Sequence, residues 1–325
     1  MFILSQARWV VNLTPSRARF RPSARGLRRE QVIIRPTVEA RVSGVSRQVR
    51  SGRPVLGLAL SGGGARGLAH IGVLAALDQA GVTIDALAGT SMGAILGAAY
   101  AAGRTPADLR AVSTQLGKYG RLIGLADFGI PRSGLIKGTT VERFLRELFS
   151  PHRSFETLVI PLAVAAVDMR RAEEVGFDSG DLLRAVQASM AVPGIFPPVE
   201  WDGRLLVDGG ILNNLPVDLA RAQGAQVVLA VDVGLDPRNE ETWQSTRLPR
   251  LGMHVWRAAS VMMAHNTASK LAQAPPDLMI RPALPPRVTS VAGFRRAEEL
   301  IQAGERAAQE VLPRLRQLLS DTGQG

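Results

Sequence analysis

Two glycine-bracketed junctions, Ser61–Gly67 and Gly89–Gly93, limit what this chain can fold into more than any other feature of its sequence. Each follows a short apolar run and precedes a helical pattern. Val55–Leu60 carries no polar side chain, as expected of a strand buried on both faces. Gly67–Gln79 then sets Ile71, Leu74 and Leu77 at helical spacing, with Gly81 as the stop. Ile84–Gly89 reads as a second strand, and Met92–Ala102 as a helix of small residues. The 18 residues from Ala86 to Gly103 hold no charge. Their internal glycines, and Asp85 and Arg104 at their ends, favour strand, turn and buried helix over a membrane span.

The alternation continues. Thr105-Pro106 predicts a helix start with Thr105 as cap, and Thr139-x-x-Glu142 has capping-box spacing ahead of an apolar face of Val141, Phe144, Leu145 and Leu148. Pro161–Val167, Leu205–Val207 and Val227–Val233 read as strands, and Asp181–Met190 as a helix. Leu278–Arg281 suits an edge strand, and Phe294–Leu319 a helix that Pro313 should kink or divide. Strands separated by helices specify an α/β fold, a three-layer α/β/α sandwich around a mainly parallel sheet.

The first junction, Ser61-Gly62-Gly63-Gly64-Ala65-Arg66-Gly67, can present converging backbone N–H groups to an anion at a helix N-terminus. Gly62, Gly64 and Gly67 also satisfy Gly-x-Gly-x-x-Gly, the dinucleotide fingerprint. That fingerprint expects an acid at the carboxyl end of the second strand. Asp85 has the spacing but sits at the amino end. No Gly-Lys-Ser/Thr follows, so a P-loop fails as well. An oxyanion hole, a purely structural tight turn and, less favoured, dinucleotide binding remain.

The second junction favours the oxyanion hole. Gly89-Thr90-Ser91-Met92-Gly93 matches Gly-x-Ser-x-Gly between a strand and a helix, the bend that pushes a serine outward as a nucleophile. The alternative is Ser91 as a plain N-cap. A nucleophile needs a base. His254 and His265 lie in a helical stretch, His70 is one turn into the helix after the glycine loop, and His152 lacks context. A carboxylate serves better: Asp208-Gly209-Gly210 ends a strand with a turn that leaves Asp208 at the same edge as Ser91.

These motifs, in this order, resemble the patatin-like phospholipases, in particular the bacterial group related to neuropathy target esterase. The resemblance spans roughly Val55 to Val233. Ala188-Ser189-Met190-Ala191-Val192-Pro193-Gly194-Ile195-Phe196-Pro197-Pro198 is similar to a fourth block of that family. Ser61 stands where the family usually has aspartate. The resemblance implies a patatin-like fold and hydrolysis of lipid esters by a Ser–Asp dyad, with Ser91 attacking and Asp208 activating it. It implies an oxyanion hole around Gly63 and Gly64 and a loop steadied by Arg66. Neither a cofactor nor a metal is expected. The competing expectation is a membrane-associated regulatory or scaffolding protein with a vestigial site.

Composition bears on partners. The chain's net charge is +11, but residues 1–53 hold twelve arginines against Glu30 and Glu39, while the rest carries 27 basic and 26 acidic residues. The expected organisation is a basic, disordered arm over 1–53, a catalytic domain over 54–235 and a mainly helical extension over 236–325 packed on it. No nucleic-acid motif accompanies the arginines, so the expected partners are a lipid or acyl-ester substrate and, peripherally, a membrane surface. The expected location is the cytoplasm. Two segments suit membrane contact: the arm, and the loop Gly120–Gly134 with Leu122, Ile123, Leu125, Phe128 and Ile130. With no cysteine, a disulfide scaffold and thiol chemistry are excluded over these residues.

Overall fold

The computed structural model describes residues 53–113, 138–239, 241, 243, 250–289 and 293–321. The loop Gly120–Gly134 and all of the arm except Arg53 lie outside the described residues. Eight strands form one sheet: β1 Leu56–Leu60, β2 Ala86–Thr90, β3 Leu162–Asp168, β4 Glu173–Phe177, β5 Val199–Trp201, β6 Arg204–Asp208, β7 Val227–Val231 and β8 Leu278–Ile280. Their order is β5-β6-β3-β2-β1-β7-β8, with β4 paired to β3. The five strands from β3 to β8 on that path are mutually parallel. The antiparallel β4, β5 and β6 complete the sheet. The fold class is therefore mixed α/β around a mainly parallel sheet.

Helices follow as α1 Ala69–Gln79, α2 Met92–Ala101, α3 over 106–113, α4 Gly138–Leu148, α5 Leu182–Ser189, α6 Val217–Ala222, α7 Arg250–Gln273 and α8 Ala297–Asp321. Strand residues of alternating size decide which helices cover which face. Leu56, Leu58, Leu60, Leu87, Leu162, Val164, Leu229 and Val231 point to one core shared with α1, α2, α4, α5 and α8. Ala59, Ala88, Ala163, Ala165 and Ala230 point to the other, a thinner layer under α6 that Leu271 of α7 joins. Bulky and small residues on opposite faces follow from the two-residue period of a strand.

Several local expectations hold and some need correcting. Thr105 caps α3: its Oγ accepts the Asp108 N–H at 3.2 Å, and Asp108 returns a carboxylate to Thr105 N–H at 2.9 Å. Asp181 caps α5 by accepting the Arg184 N–H at 3.0 Å. Thr139 does not mark the start of α4, which already runs from Gly138. Pro313 does not divide α8, which continues through it to Asp321. Helix α8 packs against α1 backbone to backbone, because a Cβ at Gly72 would meet Ile301 O and one at Gly304 would meet Ala69 O. At the amino edge of the sheet, Asp85 binds Arg53 at 2.7 Å and accepts the Leu56 N–H at 2.8 Å. Arg53 therefore belongs to the folded body rather than to the arm, and Asp85 is far from any dinucleotide role. No helix among the described residues is long and apolar enough to cross a membrane.

Candidate active site

Register on β3 brings the two candidate residues together. Strand β2 ends at Thr90 opposite Ala165, and β6 ends at Asp208 opposite Ala166. Strand β4 occupies the other edge of β3 at both of those residues. So β2 and β6 share one edge and run toward each other, end to end. Their carboxyl termini meet at consecutive positions of β3, and Ser91 follows one of them directly.

Ser91 sits at φ 53, ψ −118. That conformation is strained for a residue with a side chain, as the sharp strand-to-helix bend of a Gly-x-Ser-x-Gly segment requires. The flanking glycines are required by contact: a Cβ at Gly89 would press on Gly93 O at 2.6 Å, and one at Gly93 would collide with Leu60 O. Asp208 is 5% exposed and accepts the Gly210 N–H at 2.7 Å. Burial raises its carboxyl pKa to about 6, opposed by hydrogen bonds from the Ser91 hydroxyl and the Gly210 N–H.

The glycine loop lies beside this pair. Gly62 donates its N–H to Asn214 O at 3.0 Å, and Arg66 N–H returns to Gly63 O at 3.2 Å. Gly62 is thus unavailable as an oxyanion donor, which corrects the broader expectation. Gly63 and Gly64 N–H meet no backbone acceptor among the described residues and stay at the loop tip. Ala65 is buried, and Gly67 packs on Met92 too closely for any side chain. Arg66 straps the loop down, donating to Val233 O at 2.8 Å, Gly234 O at 3.1 Å and Val288 O at 3.2 Å. Ser91 and Asp208 open onto a cavity of about 1540 Å³, whose lining adds Ile95, Met190, Phe196, Leu212, Trp256 and Met263. That volume exceeds the roughly 300–1,000 Å³ usual for a small-molecule site.

A family profile described as patatin-like phospholipase matches residues 58–221, half of the chain. The chain belongs to the patatin-like phospholipase family. It is 38% identical over 183 residues to mouse patatin-like phospholipase domain-containing protein 6, a match covering 55% of this chain and 13% of that protein. An uncharacterized NTE family protein of Mycobacterium bovis is also 38% identical over 183 residues, covering 56% of this chain and 50% of that one. The chain therefore spans at most about half the length of these relatives. Among solved structures, VipD from Legionella pneumophila aligns with a TM-score of 0.45 and 16% identity, over 81% of this chain and 67% of that one.

Within this patatin-like domain, sequence reasoning missed the groups that clamp the site. Ser189 Oγ accepts the Ser91 N–H at 2.8 Å, and Ala191 O accepts the Asp208 N–H at 3.0 Å. The Ser189–Ala191 turn thus holds both ends of the pair. Ser189 and Ala191 both lie in the Ala188–Pro198 block, the segment whose pattern carries the signal. Asn213 O accepts the Thr90 hydroxyl at 2.8 Å, so the segment after Asp208 ties the serine turn as its neighbour Asn214 ties the loop. His70 is buried, with Nε2 at 2.9 Å from Ser61 O, a contact that needs the proton on Nε2. Burial lowers its pKa to about 4, so it is neutral and structural at physiological pH. His152 contacts Thr157 in an exposed loop, and His254 and His265 lie on α7. Among the described residues no group of three His, Asp or Glu side chains is placed to hold a metal ion.

Proposed function

We propose that this chain is a lipid acyl-ester hydrolase working through a Ser91–Asp208 dyad and an acyl-enzyme. The observation that carries the proposal is the strained Ser91 turn abutting a buried carboxyl group whose pKa is raised to about 6. Asp208 takes the Ser91 hydroxyl proton as Oγ bonds to the carbonyl carbon. The tetrahedral oxyanion faces Gly63 and Gly64 N–H, each such donor typically contributing about 2.7–4 kcal/mol. Collapse breaks the ester C–O bond, and the leaving alkoxide recovers the proton from Asp208. Water then enters, loses a proton to Asp208 and attacks the acyl carbon. The second collapse breaks the Oγ–acyl bond, Asp208 returns the proton to Ser91 Oγ, and the carboxylic acid leaves.

A raised pKa supports this role, because a base near 6 accepts a proton more readily than an ordinary aspartate yet is mostly ionised at neutral pH. The apolar cavity supports a lipid as the acyl donor. Peripheral contact with a membrane follows from an insoluble substrate. A labelled fluorophosphonate should modify the wild type and not Ser91→Ala, and a panel of phospholipids and lysophospholipids should be hydrolysed only by the former. A folded wild type that neither labels nor turns over any lipid would leave a scaffold with a remnant site as the better account.

A further inference from the structure

The two long C-terminal helices treat solvent in opposite ways. On α8 the exposed residues other than Pro313 are all polar or charged, Glu298, Gln302, Arg306, Gln309 and Arg316 among them. On α7, from His254 to Ala268, the exposed residues are His254, Val255, Ala258, Val261, Met262, His265 and Ala268. They recur at helical spacing on one face, and none is Asp, Glu, Lys or Arg. Val255, Val261 and Met262 are 63%, 50% and 67% exposed, three of the five large hydrophobic side chains exposed among the described residues. Isolated exposed apolar residues need no explanation, but a four-turn face on which five of seven exposed residues are apolar and the other two are histidines does.

The opposite side of α7 is fastened to the site. Asn266 Nδ2 donates to Ile211 O at 2.8 Å, in the turn after Asp208. Lys270 binds Glu174 at 2.5 Å and Asp218 at 2.7 Å, and Asn213 donates to both of those carboxylates. Val255, Val261 and Met262 belong to the cavity's lining as well as to the exposed face, so they form its rim. Neither an aspartate nor a glutamate occurs anywhere along α7.

We propose that the exposed face of α7 is the surface by which the protein docks on an anionic lipid bilayer, placing the cavity mouth against the membrane. The inference rests on the lipid-ester reading of the cavity. A protein seated on this rim would cap the mouth, whereas a bilayer pressed against it delivers an acyl chain directly into the cavity. Apolar rim residues enter the interface, and the acid-free helix suits negatively charged headgroups.

The test is sedimentation of the full chain with phosphatidylcholine vesicles, with and without phosphatidylglycerol. Wild type and Ser91→Ala should bind equally, more strongly to the anionic vesicles. Val261→Glu/Met262→Glu should lower partitioning about tenfold or more, since each large apolar side chain kept out of the interface forfeits roughly that factor. Gln302→Glu/Gln309→Glu on α8 adds the same charge and should change binding by no more than about twofold. Thermal unfolding checks that both pairs fold, and Val255→Gln gives a milder version of the same loss. Equal effects of the two pairs, or no vesicle binding by wild type, would overturn the proposal. So would a wild-type dimer that the α7 pair dissociates without altering vesicle binding, which would make this face a self-interface. Failure of lipid hydrolysis with α7-dependent binding intact would remove the hydrolase reading and leave the docking surface standing.

Discussion

At Ser91 the backbone is held at φ 53, ψ −118 around a neutral side chain, whereas at Asp208 the backbone is relaxed at φ −49, ψ 128 and the carboxyl group bears the unfavourable term instead. The two junctions end at neighbouring residues of β3, yet one concentrates conformational strain and the other desolvation. Each is held by the surrounding structure: Ser189 and Asn213 grip the serine turn, and Ala191 O and Gly210 N–H grip the aspartate. The difference teaches that stability should depend on pH and charge at Asp208 but on backbone freedom at Ser91.

The largest expected effect is at the aspartate. Asp208→Asn should reduce lipid-ester turnover by about 10²–10⁴-fold, measured with a chromogenic or lipid substrate. The same variant should be more stable near pH 8, by about 1–3 kcal/mol in denaturant unfolding. The sign follows from the raised folded pKa: between the ordinary 3.8 and about 6 the folded protein binds more protons than the unfolded chain. Its stability therefore declines as pH rises through that window, and an uncharged side chain escapes the decline. A destabilised Asp208→Asn at that pH would break the comparison, for the carboxylate would then be a net favourable partner. In wild type the same group predicts kcat/KM falling about tenfold per pH unit below about 6 and flat above it.

Next in size are the glycines. Gly93→Ala at one junction and Gly209→Ala at the other should each lose stability near the top of the range of about 1–3 kcal/mol, because their methyl groups meet the backbone at Leu60 and Ala165. Thermal unfolding checks both, with Gly97→Ala as the contrast on α2. There the methyl would find only Leu60 and Leu162 side chains at 3.6 Å, so the expected change is a gain of about 0.5–1 kcal/mol.

Ser189→Ala separates the two ends more finely. It leaves the Ser91 N–H without its acceptor and should slow turnover and fluorophosphonate labelling about tenfold, with the pH midpoint near 6 unmoved. A shifted midpoint would mean that Ser189 acts on Asp208 as well. The smallest effect is conformational. Ser91→Gly should be more stable than Ser91→Ala by about 1 kcal/mol, since only glycine sits at that φ and ψ without strain. Equal stabilities would remove conformational strain from the serine side of the comparison.

Local chemistry accounts for what could be read in advance. The parallel strands β1, β2, β3 and β7 announce themselves as apolar runs because both of their faces are buried. The serine turn is readable because its glycines are forced by contacts within a few residues, and Thr105 and Asp181 because a cap bonds to the next turn. Strands β4 and β5 carry no such local signal: Glu173–Phe177 and Val199–Trp201 are short and partly exposed, so their strand character comes from pairing with β3 and β6.

By itself, then, the sequence determined the α/β class, the two glycine junctions and the identity of Ser91 and Asp208 as candidates, because each depends on side-chain size or periodicity over a short stretch. Only the tertiary structure decided that β6 runs antiparallel along the same edge of β3 as β2, which sets Asp208 beside Ser91 across more than a hundred residues of chain. It alone decided that Ser189 and Ala191 grip both, that Gly62 N–H is already taken by Asn214, and that the largely apolar face of α7 lies outward at the cavity rim. Burial, register and the partner of a backbone N–H are set by distant segments arriving at one place, and no local pattern encodes an arrival.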